Sequence, residues 1–218
     1  HALGVDHPVV GKTLTNLAAT HQTAGDHERA EAALERASSI FERTLGPDHL
    51  AMAAVLTNLA NIHAETGRAE DAKALYGRAL SIYQRKLGPD HEDVATVLAN
   101  LGSLTDETGD HERARTLLEQ ALQIRERALG PDHDDVATTL LDLASTSESS
   151  GDPEVAERLY ERALAIRERA LGPEHPRLVG PLLGLASTAL TRGAPERAAS
   201  WAQRAMATIG KSRGHADE

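Results

Sequence analysis

Two columns of polar residues could do chemistry. Histidine recurs as His7, His49, His91, His133 and His175, and an amide or acid recurs as Asn16, Asn58, Asn100 and Asp142, with Gly184 in the fifth place; both columns step by 42 residues. Five histidines in register invite a metal site, since imidazole is the commonest metal ligand. The step speaks against one. Equivalent positions in adjacent helical units lie ~10 Å apart, one helix diameter, whereas zinc holds each ligand at ~2 Å. Helix capping and packing between units are the expected roles. His21 and His27 lack carboxylate partners of motif quality and are discounted as well. An Asn amide offers both donor and acceptor, so it can bond an extended chain without reading its sequence. Asn is also a poor helix-interior residue, so three in register need a reason. Holding a peptide and bonding locally within the unit both supply one.

Catalytic and cofactor constellations are missing. The sequence has no Gly-rich phosphate loop, no HExxH and no nucleophile elbow, and its lack of Cys removes thiolate metal sites, Cys nucleophiles and disulfides. The run Ser145-Thr146-Ser147-Glu148-Ser149-Ser150 is expected at a helix end before Gly151, as a frayed polar terminus or a site of contact or phosphorylation. No enzyme activity, no metal and no cofactor are expected.

The elements that must position these residues follow from one phrase. Leu45-Gly46-Pro47-Asp48-His49 returns at 87–91 and 129–133, as Leu171-Gly172-Pro173-Glu174-His175, and more weakly as Leu3-Gly4-Val5-Asp6-His7. Gly25, Gly67, Gly109, Gly151 and Gly193 keep the same step. A fixed period of this length marks a repeat array. In residues 87–128, Gly88-Pro89 stops one helix and Asp90 or His91 caps the next. Val94, Val97, Leu98, Leu101 and Leu104 share one helical face. Gly109 and Asp110 close that helix and open another, whose face carries Ala114, Leu117, Leu118, Ala121, Leu122 and Ile124; Arg125 and Arg127 suit the dipole of its last turn. The units are 3–44, 45–86, 87–128, 129–170 and 171–212, followed by a polar tail at 213–218. The fifth unit is degenerate, because Gly180-Pro181 and Gly184 replace helix formers, so its first helix should start late or kink. His1-Ala2 stand where Arg127-Ala128 and Arg169-Ala170 precede later phrases, so the chain is expected to open in the tail of a preceding unit of a longer parent.

The small and large residues across each hairpin resemble the tetratricopeptide repeat. They are Leu56, Leu59, Ala60 and His63, then Ala72, Tyr76 and Ala79 in one unit, and Leu140, Leu143, Ala144, Ala156, Tyr160 and Ala163 in another. The usual unit has 34 residues; a 42-residue unit joined by Leu-Gly-Pro-Asp-His resembles kinesin light chains and their bacterial relatives. Leu and His stand where that family places large aromatics on the first helix. The resemblance implies an all-α fold, an α-solenoid with a right-handed superhelix of about five helix-turn-helix repeats. It also implies a concave groove lined by the first helices. Asn16, Asn58, Asn100, Asp142 and Gly184 would then face inward, as Asn residues that clamp a peptide backbone do in that family. On the same face follow Asn61, Ser103 and Ser145, then Asp106, Glu107 and Glu148. Ala18 with Ala30, Ala60 with Ala72, Gly102 with Ala114, and Ala144 with Ala156 would let paired helices approach closely.

The net charge of −10 argues against nucleic acid and anionic membranes as partners. With five aromatic residues in 218, stacking platforms for single strands are lacking. No apolar run approaches the ~20 residues of a membrane span, and the expected compartment is the cytoplasm. The charge concentrates at −5 in 87–128 and −6 in 129–170, against +3 in 171–212. Solvated helix faces and a preference for basic partners both fit. The expected function is binding of a protein or peptide, polar or basic, in the groove. The alternatives are a sensor segment of a larger protein such as an NTPase, and a structural or designed array.

Overall fold

The computed structural model describes residue 4 and residues 6–214, and side chains as far as residue 211. The expectations for His1-Ala2, for Leu3 and Val5 of the first phrase, and for the end of the tail lie outside the described residues. The described residues form ten α-helices and one 3₁₀ turn, with no strand among them. The order is α1 (Pro8–Thr23), α2 (His27–Leu45), α3 (Leu50–Glu65), α4 (Ala69–Leu87), α5 (Glu92–Glu107), α6 (His111–Leu129), α7 (Asp134–Ser149), α8 (Pro153–Leu171), the 3₁₀ turn Pro176–Leu178, α9 (Val179–Thr191) and α10 (Pro195–Gly214). This is an all-α repeat fold of helix pairs. It divides into two units, His1–Leu104 and Thr105–Glu218.

The phrase between pairs is a stop and a start. Gly88 takes φ +92°, a left-handed value that any side chain would strain, and its N–H bonds the Gln84 carbonyl at 3.1 Å. The histidine two residues after the proline then caps the next helix. The imidazole Nδ1 of His7, His49, His91, His133 and His175 accepts the backbone N–H two residues on, at 3.2, 3.1, 3.2, 3.2 and 3.2 Å. Where the sequence left Asp90 or His91 as the cap of α5, the ring takes that role. Asp26 and Asp110 cap the second helices in the same manner, each accepting an N–H at 3.2 Å.

In the first unit, α1 packs on α2, α3 on α4, and α2 on α3. Ala18, Ala30, Ala60 and Ala72 are fully buried between paired helices, and Leu34, Ile40, Met52, Val55 and Ile62 fill the layer around them. In the second unit, α7 and α8 pair around buried Ala144 and Ala156, and α9 pairs with α10. One cluster joins Tyr160 and Leu164 of α8 to Leu178, Leu182 and Leu185. The fifth pair shows the irregularity expected of it: the 3₁₀ turn comes first, and α9 has 13 residues where α7 has 16.

Two expectations need correction. Thr146 and Ser147 do not fray; both are buried, and the Ser147 hydroxyl donates to the Leu143 carbonyl at 2.7 Å. A hydroxyl bonded to its own helix costs little to bury, so a polar run can close a helix inside the core. Arg125 does not stand in the last turn of α6, where Arg127 is the basic residue. Arg125 is buried, and its Nη1 donates to Thr139 Oγ1 at 2.7 Å and to the Asp135 carbonyl at 3.2 Å.

Candidate peptide-binding face

In the first unit, Asn16 is exposed and Asn58 half-buried; neither side chain has a partner among the described residues. Asn61 and Asn100 differ. The Asn61 carbonyl oxygen accepts Tyr76 Oη at 2.5 Å and Asn100 Nδ2 at 3.1 Å, so these two amides tie α3 to α4 and α5. Ser103 is half-buried and donates to its own helix at the Ala99 carbonyl, 3.2 Å away. Of the two explanations open to the Asn column, local bonding accounts for Asn100, through Asn61, and leaves Asn16 and Asn58 without a side-chain hydrogen bond among the described residues.

A cavity of ≈ 510 Å³ opens beside Asn16, walled by Pro8, Val9, Phe41 and Leu45 with Lys12 at its edge. The Phe41 ring explains Gly11, because a Cβ there would stand 2.6 Å from the ring. The sequence had marked Asn16 and Ala18 on this helix, and neither Gly11 nor the cavity.

In the second unit, the side chains of Asp142 and Ser145 of α7 make no hydrogen bond among the described residues; Asp142 is half-buried and Ser145 exposed. Burial pushes the Asp142 carboxyl up to about 6, and the Arg125 and Arg167 guanidiniums hold it from rising further. Glu148 is occupied, with Oε2 accepting Tyr160 Oη at 2.9 Å and Oε1 accepting Thr188 Oγ1 at 2.8 Å. Burial and the Glu148 carboxylate together raise the Tyr160 phenol, so it stays a donor. Asp106 binds His111 Nδ1 at 2.7 Å, and Glu107 is exposed. The fifth position, Gly184, is small for a reason: a Cβ would stand 2.4 Å from the Tyr160 ring.

The sequence reading missed three ionic features. The acid of the phrase pairs with the last turn of its own unit: Asp6 with Arg43 at 2.7 Å, Asp48 with Arg85 at 2.8 Å, Asp132 with Arg169 at 2.7 Å, and Glu174 with Lys211. The 42-residue step of those basic residues was the signal. Glu31 takes Arg68 on both oxygens, at 2.8 and 2.7 Å, and His63 at 3.0 Å, and the Arg68 bonds hold its carboxyl below the usual range. Arg167 is buried, donating to Asp134, to Thr138 and to the Arg177 carbonyl at 3.2, 3.1 and 2.9 Å. No cluster able to hold a metal occurs among the described residues, and no described helix is long and apolar enough to cross a membrane.

The tetratricopeptide repeat family profile matches residues 9–85, 51–127, 107–169 and 148–209. Among curated proteins, none matches the chain in sequence. Solved structures resemble it closely. BtubC (BKLC) from P. vanneervenii aligns with a TM-score of 0.82 at 26% identity, over 94% of this chain and 83% of its own. A putative kinesin light chain of Podosopora anserina, with nearly identical TPR-like repeats, gives 0.79 at 24% identity, over 94% and 98%. A Rap protein complexed with Competence and Sporulation Factor gives 0.76 at 17% identity, over 90% of this chain and 53% of its own, a likeness of fold alone. The helix pairs, the alanines between them and the matches along the array agree, and the chain belongs to the tetratricopeptide repeat family, whose members serve in general as non-enzymatic protein-interaction scaffolds.

Proposed function

We propose that the first helices bind an extended, polar or basic peptide segment of a partner protein. One observation carries the reading. Asn16 and Asn58 in the first unit and Asp142 in the second hold the same repeat position on first helices, Ser145 lies one turn on, and none of the four side chains makes a hydrogen bond among the described residues. Their neighbours Asn61, Asn100 and Glu148 are consumed by internal bonds, so the pattern separates structural from available groups. The available set suits a peptide backbone, which presents one donor and one acceptor per residue. Asp142, ionised above about pH 6, favours a basic side chain nearby. The Rap protein, solved with Competence and Sporulation Factor, provides a precedent for ligand binding on a related fold.

The test is a panel of basic, neutral and acidic peptides read by fluorescence anisotropy. A basic peptide should bind best. Asn16→Ala with Asn58→Ala should weaken it about tenfold, the effect of losing two hydrogen bonds of ~0.5–1.5 kcal/mol each, at unchanged melting. Unchanged affinity in that double variant overturns the reading.

A further inference from the structure

We propose that the histidine caps make the start of α3 sensitive to mild acid and spare the starts of α5 and α7. Each cap needs an unprotonated Nδ1, because that nitrogen accepts a backbone N–H and a protonated ring only donates. Histidine is the side chain whose charge ordinarily changes between pH ~5 and ~8. His49 is exposed, so protons reach it from solvent. Protonation removes the acceptor and sets a positive charge beside a helix N-terminus, where the dipole opposes it. The cap is therefore present above the histidine range and is lost as pH falls through it.

The consequence differs between helices. Two residues after the histidine stand Ala51 in α3, Asp93 in α5 and Asp135 in α7. The Asp93 carboxylate lies 3.5 Å from His91 Nδ1, and the Asp135 carboxylate 3.3 Å from His133 Nδ1. A protonated ring can turn its Nδ1–H to that carboxylate and stay at the helix start. The first turns of α5 and α7 carry Glu92 with Asp93 and Asp134 with Asp135, acids that offset the added charge. The first turn of α3 has no acid. The other charged groups near its phrase are engaged: Asp48 pairs with Arg85 of α4 at 2.8 Å, and Arg43 of α2 with Asp6 at 2.7 Å. Around His133, Asp132 pairs with Arg169 of α8, and Asp134 with Arg167 and Arg177, which leaves Asp135 to the ring. None of these groups belongs to the proposed peptide face, so the acid response stands apart from that reading.

Thermal melts of the full chain between about pH 7.5 and about pH 5.5, read by circular dichroism, test it. His49→Asn replaces the ring with a cap that does not titrate. It should melt with the wild type at the upper pH and about 2–4 °C above it at the lower, the shift expected for one lost cap in a chain of this length. Ala51→Asp keeps His49 and supplies the carboxylate that α5 and α7 possess, so its advantage over the wild type should widen as pH falls. Asp93→Ala should make α5 behave as α3 does, melting further below the wild type at the lower pH than at the upper. Asp142 titrates in all four chains and cancels from these differences. A His49→Asn chain whose melting runs parallel to the wild type across the window overturns the proposal. So does a gap that stays constant for Ala51→Asp or for Asp93→Ala.

Discussion

Asp142 occupies the place that Asn58 and Asn100 hold in earlier units, and it carries a carboxyl that burial pushes up to about 6. Its folded form binds the proton more tightly than the unfolded chain does, where the value is near 3.8. Its contribution is therefore most favourable at low pH. Stability declines as pH rises from about 3.8 to about 6 and is flat above that window. Asp142→Asn should remove this dependence, raising stability by about 1–3 kcal/mol above pH 6 and by almost nothing below pH 4. Thermal melts of both proteins across the window check it, and parallel curves would falsify the assignment. The same exchange should weaken basic-peptide binding at neutral pH. At His133 the ring accepts an N–H at 3.2 Å, a role that Ala cannot fill. His133→Ala should cost about 1 kcal/mol, read as a lower denaturation midpoint.

At the scale of the element, the hairpin is set by where two helices touch and how one ends. Ala60 and Ala72 are fully buried between α3 and α4. Ala60→Leu should overpack that contact and lower stability by ~1–3 kcal/mol; unchanged melting would show that the pairing is otherwise. The ion pair of Asp48 with Arg85 is exposed on both sides, so Arg85→Ala should cost under ~1 kcal/mol, and less in high salt. The helices, their starts and the glycine stops were legible in the sequence, because period, caps and turn residues act locally. Their partners were not. Arg125 and Arg127 read alike as last-turn cations, yet Arg125 turns inward to Thr139. That choice depends on a helix arriving from the next pair, which no local signal encodes.

For the whole molecule, charge sets behaviour toward other molecules. The net charge of −10 and its concentration in 87–170 would make the proposed binding of a basic peptide salt-sensitive. Affinity should fall steadily as salt rises toward 1 M, where the Debye length is ~3 Å; an affinity indifferent to salt would remove charge from the account.

The sequence by itself determined the five-fold period, the all-α class, the helix limits and the alanines on which the pairs close, because each depends on residues a turn or two apart. It also excluded Cys chemistry outright. The tertiary structure decided which polar residues are available. Asn58 and Asn100 are the same residue at the same register, yet Asn100 reaches Asn61 and the Asn58 side chain has no hydrogen bond among the described residues. Gly184 is small because a tyrosine from the preceding helix fills its place. Hydrogen bonding and excluded volume between distant segments make those distinctions, and both exist only once the helices are packed.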